Sequence, residues 1–115
     1  MTDFARRVMD QMLDGDTEAH IREQKAVLAK DPSWAEGHYH LGQLYRVQGK
    51  RAEARVELLR AIELKPSLAD AHVALGEMYV ADGEMEKARE HAGWGEKFGN
   101  PRLKEQLGRY VGRKS

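Results

Sequence analysis

The sequence predicts an all-α protein built from repeated helical hairpins, and three observations support this fold class. Residues that favour helices, chiefly Ala, Glu, Leu, Lys and Arg, fill most of the chain. The three prolines, Pro32, Pro66 and Pro101, divide it into blocks of similar length, and proline ends helices because it lacks an amide donor. A segment also recurs after 34 residues. At 115 residues the chain is one domain by length and can bury a core without disulfides.

The recurrence is strongest in the middle of the chain. Residues 35–66 superimpose on residues 69–100 at a shift of 34, with eight identical positions. These are the pairs Ala35/Ala69, His38/His72, Leu41/Leu75, Gly42/Gly76, Tyr45/Tyr79, Gly49/Gly83, Ala54/Ala88 and Arg55/Arg89. Self-similarity at this period is the signature of a stacked helical repeat.

The first copy shows why each block predicts two packed helices. His38, Leu41, Gly42 and Tyr45 follow the spacing of one helix face. A glycine within a helix costs about 1 kcal/mol relative to alanine, so Gly42 indicates that a second helix lies close against it. Gly49, like Gly83 one repeat later, is expected to end the first helix in a left-handed turn. The second helix then carries an apolar set at helical spacing: Ala54, Leu58, Ala61 and Ile62.

These residues resemble the tetratricopeptide repeat, whose signature is W-x2-L-G-x2-Y, then A-x3-F, then P, over 34 residues. His38-x2-Leu41-Gly42-x2-Tyr45 matches it with His in place of Trp, and Ala54-x3-Leu58 and Pro66 follow in order. The next block matches in its first helix and departs in its second, where Ala92 replaces a large residue and Pro101 comes one residue late. The resemblance implies a right-handed superhelix of three hairpins plus a C-terminal capping helix, seven helices in all.

The expected organisation is a single tetratricopeptide domain over residues 1–115. Repeat 1 covers about 1–34, repeat 2 about 35–68, repeat 3 about 69–100, and the capping helix about 101–112. Repeat 1 keeps Gly15 and Pro32 at the repeat spacing but few other identities, as terminal repeats often do. The capping helix is predicted from an amphipathic stripe: Leu103, Leu107, Tyr110 and Val111.

The resemblance also implies a concave groove, built mainly from the first helix of each hairpin, that binds a peptide or helix of a partner protein. The residues expected to line it are Glu36, Tyr39, His40, Gln43 and Arg46 in repeat 2, and Asp70, Val73, Glu77 and Val80 in repeat 3. The three acidic residues would form one edge and Tyr39, Val73 and Val80 an apolar floor. Such a groove favours a segment with apolar anchors and some basic character. The Lys, Asn and Arg set with which one subgroup holds chaperone tails is missing.

The surroundings of Trp94 allow two interpretations. Gly93 and Gly95 flank it, and Phe98 and Gly99 follow. The favoured one is that the glycines admit the capping helix and that Trp94 covers it, since large aromatic side chains usually bury much of their area. The other is an exposed patch, Trp94 with Phe98, that binds a partner or a second copy of the chain. The second interpretation gives an alternative function, a self-associating scaffold, and a possible homo-oligomer.

Other functional classes find little support. Nineteen basic and nineteen acidic residues cancel, so nothing attracts the whole chain to nucleic acid or anionic membranes. No apolar run has the length of a membrane span or a signal peptide, and we expect a cytoplasmic protein. No cysteine is present, and no catalytic or phosphate-binding motif occurs. His38 and His72 are expected to fill the contact between helices, so we expect no enzyme, no cofactor and no metal site.

Overall fold

The computed structural model describes the backbone of residues 3–114 and the side chains of residues 15–109. These residues form helices and no strand, which confirms the all-α class. The helices are α1 (Asp3–Lys30), α2 (Ala35–Val47), α3 (Arg51–Leu64), α4 (Ala69–Ala81), α5 (Met85–Lys97) and α6 (Arg102–Lys114). The pairs α2/α3 and α4/α5 are the two predicted hairpins, and α6 packs on the second as a capping helix. Among the described residues, no helix combines the length and the apolar character that crossing a bilayer requires.

The first block differs from the prediction. In place of a hairpin it holds α1, one continuous helix of 28 residues that runs through Gly15. A glycine ends a helix when it takes the left-handed conformation, and among the described residues only Gly49, Gly83 and Gly99 have positive φ. No proline separates the two halves of α1. The structure therefore has six described helices instead of seven, and the side-chain positions of the predicted stripe at Tyr110 and Val111 lie outside the described residues.

Left-handed glycines close the two hairpin turns, as predicted for Gly49 and Gly83. Their φ angles are 76° and 79°, and Gly99 repeats the turn after α5 with φ of 110°. The residue after each glycine donates its backbone N–H to a carbonyl in the last turn of the helix, at 2.9 Å for Lys50 and for Glu84 and 2.7 Å for the residue after Gly99. This six-residue closure satisfies carbonyls that the helix end leaves free.

The core consists of two clusters of buried side chains that meet on α4. The first lies between α1, α2, α3 and α4 and contains Ile21, Leu28, Leu41, Tyr45, Ala54, Leu58, Ala74, Leu75 and Met78. The second lies between α4, α5 and α6 and contains Val73, Ala88, Ala92, Leu103 and Leu107. Residues 71–76 are consequently buried without interruption. The middle turns of α4 are therefore covered on all sides, whereas the other described helices bury one face.

Close approach at the glycine of each hairpin confirms the inference from sequence. A Cβ atom added to Gly42 would lie 2.9 Å from Cγ of Leu58 and 3.2 Å from the carbonyl oxygen of Ala54, both on α3. At the equivalent Gly76, an added Cβ would overlap Leu103 of the capping helix. The hairpins are also tied to one another, because Asp82 at the end of α4 accepts hydrogen bonds from two arginines of α3, Arg51 and Arg55.

Candidate interaction surfaces

Two cavities lie beside the first helices of the hairpins. The larger, about 730 Å³, lies between α4 and α6, and we call it the distal groove; it is lined by Arg46, Glu77, Val80, Gly83, Met85, Leu103, Gln106 and Leu107. The smaller, about 350 Å³, lies between α1 and α2 and is lined by His20, Glu23, Gln24, His40, Gln43, Leu44 and Val47. Five of the nine residues expected to form a groove line one of these cavities.

The capping helix supplies one wall of the distal groove, which the sequence did not indicate. Leu103, Gln106 and Leu107 of α6 face Val80 of α4 and Met85 of α5 across the cavity. The prediction considered only the first helices of the hairpins, because the family geometry assigns the concave surface to them. The signal for this wall is the apolar stripe of α6, which the sequence alone assigns to covering the end of the stack.

A chain of polar contacts joins the predicted residues of α2 to the distal groove. Gln43 donates to the hydroxyl of Tyr39 at 3.3 Å, and Nη1 of Arg46 donates to Oε1 of Gln43 at 2.9 Å. The same Nη1 lies 3.7 Å from Oε1 of Glu77, to which Arg102 of α6 donates at 3.1 Å. Burial raises the pKa of the Tyr39 phenol, so its hydroxyl stays a neutral hydrogen-bonding group. The groove therefore has an ordered polar side.

Two of the three acidic residues expected to form an edge of the groove are paired with basic side chains of the same chain. Lys65 donates to Glu36 at 2.8 Å, and this hydrogen bond is the main reason that the pKa of Glu36 is lowered. Asp70 accepts a hydrogen bond from the Asn100 amide at 2.9 Å. Glu77 in turn lies between two arginines. The charge of the expected acidic edge is therefore compensated at Glu36 and Glu77 by basic side chains of the same chain.

Val73 is not part of the groove surface, contrary to the prediction. It is 1% exposed and packs in the second core cluster. The physical reason is Gly95: a Cβ there would lie 2.8 Å from Cγ2 of Val73, so the absent side chain lets α5 close over this residue. Its counterpart one repeat earlier, Tyr39, stays only partly buried. Equivalent positions in the two hairpins thus have different surroundings.

Trp94 is 39% exposed, so it keeps a substantial accessible face while most of its area is buried. Its ring stacks on Phe98 with centroids 5.9 Å apart and an angle of 10° between the planes. The ammonium of Lys97 lies 5.1 Å from the Trp94 ring and 5.7 Å from the Phe98 ring. We call Trp94, Lys97 and Phe98 the aromatic patch. Trp94 is exposed and Phe98 partly buried, so the patch offers an apolar surface that another protein chain can cover.

The two repeat-equivalent histidines fill the contact between the helices of each hairpin, as predicted. In both, Nε2 lies 2.8 Å from the carbonyl of the proline six residues earlier. In both, Nδ1 faces the side chain 19 residues later, which is Glu57 for His38 at 2.7 Å and His91 for His72 at 3.1 Å. Among the described residues, no group of three or more His, Asp or Glu side chains is placed to hold a metal ion.

Comparison with known proteins agrees with this geometry. A family model described as "TPR repeat" matches residues 42–83. A solved structure titled "Crystal structure of MamA" superimposes with a TM-score of 0.68 over 86% of this chain at 20% sequence identity. The chain spans 55% of the length of that structure. No curated protein matches the sequence. With its repeated glycine-closed hairpins, its small-residue contacts between helices and its capping helix, the chain has the tetratricopeptide repeat fold, and residues 42–83 match the repeat itself.

Proposed function

We propose that this protein is an adaptor that binds a peptide or helix of a partner protein in its groove. Tetratricopeptide repeats are protein-interaction scaffolds in general. The observation that supports a groove site here is the distal groove, an open cavity of about 730 Å³ with an apolar wall and an ordered polar side. Cavities of this size hold apolar anchor groups while a few placed polar groups fix orientation. The proposal includes a cytoplasmic location and no catalytic role.

The lining of the distal groove favours an amphipathic segment as the partner. Val80, Met85, Leu103 and Leu107 offer apolar contact to the anchor side chains of a helix or an extended chain. On the polar side, Arg46 and Arg102 flank the single carboxylate of Glu77. Two guanidinium groups around one carboxylate leave an excess of N–H donors, so a carboxylate on the partner is the favoured polar contact.

Matched substitutions on two exposed valines test the groove. Val80 lines the distal groove, whereas Val56 is exposed on α3 and lines none of the cavities described above. We expect Val80→Asp to abolish retention of a partner recovered by affinity capture, and Val56→Asp to leave it unchanged. Circular dichroism of both variants would establish that each remains helical. Equal retention by the two folded variants would exclude the distal groove as the binding site.

The exposure of Trp94 supports a second candidate function, a scaffold that self-associates through the aromatic patch. Trp94→Ser removes the largest apolar surface of the patch, and Leu59→Ser is a matched change on α3 at a side chain of similar exposure. Sedimentation equilibrium across a range of concentrations would measure association. If the patch joins two copies, Trp94→Ser shifts the protein to monomer and Leu59→Ser does not. A wild-type protein that stays monomeric at every concentration would exclude this candidate.

A further inference from the structure

A pair of hydrogen-bonded histidines joins the two helices of the second hairpin. His72 of α4 and His91 of α5 bring their Nδ1 atoms within 3.1 Å, and His72 is 6% exposed. The Tyr79 ring stacks on His91 with centroids 5.4 Å apart. Phe98 and Trp94 lie against His72 at 6.0 and 6.2 Å. The two imidazoles thus meet edge to edge at their Nδ1 atoms, within a column of aromatic rings that links α4 to α5.

The hydrogen bonds of this pair assign the protons of its neutral form. A backbone carbonyl is only an acceptor, so Nε2 of His72, 2.8 Å from the carbonyl oxygen of Pro66, carries a hydrogen. In a neutral ring Nδ1 of His72 then has a free lone pair. Nδ1 of His91 faces that lone pair at 3.1 Å and therefore donates. Both rings are satisfied when both are neutral.

The intact pair can hold one added proton but not two. A proton on Nε2 of His91 leaves the N–H of its Nδ1 pointing at His72, and the hydrogen bond survives. A second proton would have to occupy Nδ1 of His72, which would place two N–H donors and two positive charges against each other at 3.1 Å. The unfolded chain has no such limit and binds two protons. Acid therefore favours separation of the rings.

The first hairpin has the opposite chemistry at the equivalent position. Nε2 of His38 donates to the carbonyl of Pro32 at 2.8 Å, and Nδ1 lies 2.7 Å from the Glu57 carboxylate. Two acceptors flank this ring, so both hydrogen bonds form when the imidazole carries both protons. Added protons therefore leave this contact intact.

We propose that the His72–His91 pair is an acid-sensitive joint that weakens the attachment of α5 and α6 to α4, while the His38–Glu57 pair keeps α2 and α3 closed. The two hairpins share one fold and one repeat position. They differ in the residue 19 places after the histidine, and that residue decides whether acid preserves or breaks the contact.

The charged groups around the pair are consistent with this behaviour. Burial lowers the pKa of His91, and His72 lowers it further, while Glu90 on the same helix opposes the shift. The Tyr79 ring that covers His91 also contacts Arg55 of α3 and Lys87 of α5, so cations face the outer side of the column. From α6, Lys104 bonds to Glu96 and not to the pair. A lowered pKa in the folded state means that the unfolded state binds more protons, so stability falls as pH drops below about 6.5.

Weakening the His72–His91 contact would also change the shape of the distal groove. The effect on a bound partner rests on the proposed function. The groove is formed by Val80 of α4, Met85 of α5 and the Leu103 and Leu107 side chains of α6. If α5 and α6 loosen from α4, the apolar wall separates from the polar side. A partner bound there would be released in acid. The joint itself is tested without any partner, so its failure and the failure of the groove proposal are distinguishable.

Urea unfolding between pH 7.5 and 5.0 measures the predicted loss of stability. Each excess proton bound by the unfolded state changes the unfolding equilibrium constant by about tenfold per pH unit. Since the unfolded chain can bind two protons at these residues and the intact pair one, we expect the pair to contribute about one such proton in acid. His91→Gln should remove this contribution, because an amide can donate to neutral His72 or accept from its protonated form. His91→Glu, which copies Glu57, should do the same. His20→Gln, at an exposed position, is the control and should keep the wild-type profile.

Hydrogen exchange, corrected for the intrinsic effect of pH, locates the change. We expect acid to raise the exchange of α5 and α6 more than that of α2 and α3 in the wild type, and Glu57→His to bring α2 and α3 to a similar sensitivity. Nitrogen chemical shifts of the rings at neutral pH should show His72 protonated on Nε2 and His91 on Nδ1. An unchanged pH profile in both His91 variants, or equal acid sensitivity of the two wild-type hairpins, would overturn the proposal.

Discussion

Gly42→Ala has two opposing effects on the stability of the first hairpin: it favours the helix and it disturbs the packing of α2 against α3. The added Cβ would lie 2.9 Å from Cγ and 3.1 Å from Cδ2 of Leu58, and 3.2 Å from the carbonyl oxygen of Ala54. Leu58 is fully buried in the first core cluster, so its branch point has no room to retreat. The backbone carbonyl can move only if α3 moves. Gly42→Ala should therefore force the two helices of the hairpin apart.

The magnitude follows from two opposing contributions. Replacing a helical glycine with alanine stabilises the helix by about 1 kcal/mol. Overpacking of a filled core costs about 1–3 kcal/mol. Gly93 lies within α5, where an added Cβ would meet nothing within 4 Å, so Gly93→Ala gains the first contribution alone. The difference between the two variants removes the propensity gain and leaves the packing cost, about 1–3 kcal/mol.

Urea denaturation followed by far-ultraviolet circular dichroism would measure both variants against the wild type. We expect the unfolding midpoint to fall for Gly42→Ala and to rise for Gly93→Ala, with the dependence of the free energy on urea unchanged. A double variant locates the cause: in a Leu58→Ala background only the 3.2 Å approach to the Ala54 carbonyl remains, so Gly42→Ala should destabilise the protein much less.

Equal stabilisation by Gly42→Ala and Gly93→Ala would refute this reasoning, since it would mean that α2 and α3 do not need the glycine to approach. A Gly42→Ala cost that persists in the Leu58→Ala background would assign the effect to the Ala54 carbonyl alone.

Three further predictions concern the core, a tie between the hairpins and a turn. Leu58→Ala should destabilise the protein by about 2–5 kcal/mol in urea denaturation, because it leaves a cavity in a fully buried site. Asp82→Asn removes the carboxylate that receives Arg51 and Arg55; we expect a loss of about 1 kcal/mol or less that shrinks as salt is added, because the arginines are partly exposed. Gly83→Ala should cost about 1–2 kcal/mol in thermal or urea unfolding even though the added methyl has room, because φ is 79° there.

The parts of the fold that could be predicted from sequence are those where one residue type has one physical explanation. Gly42 inside a helical pattern implied a close neighbour, and α3 lies there. Gly49 and Gly83 implied left-handed turns, and both have positive φ. By the same logic Gly15 was expected to separate two helices, but glycine also tolerates ordinary helical geometry, and without a following turn signal the helix continues through it.

The candidate site was harder to predict because its members depend on helices that are distant in sequence. Val73 carries an apolar side chain at a position equivalent to Tyr39, and only the approach of α5 at Gly95 decides that it is buried. The sequence does not show which basic residues pair with the acidic ones. Lys65 donates a hydrogen bond to Glu36 and Arg102 donates one to Glu77, from 29 and 25 residues away. Periodicity describes the faces of a helix, but it does not say which face a later helix will cover.

The burial of the middle of α4 between the two core clusters determines how this protein can be divided. Among the described residues, α4 is the one helix that contributes to both core clusters, through Leu75 and Met78 to the first and Val73 to the second. A fragment that ends before α4 would expose the first cluster to water, and a fragment that begins at α4 would expose the other side of the same helix. The two hairpins are therefore not autonomous modules, and dissection at the repeat boundary should yield two poorly structured pieces that recover helix content when mixed.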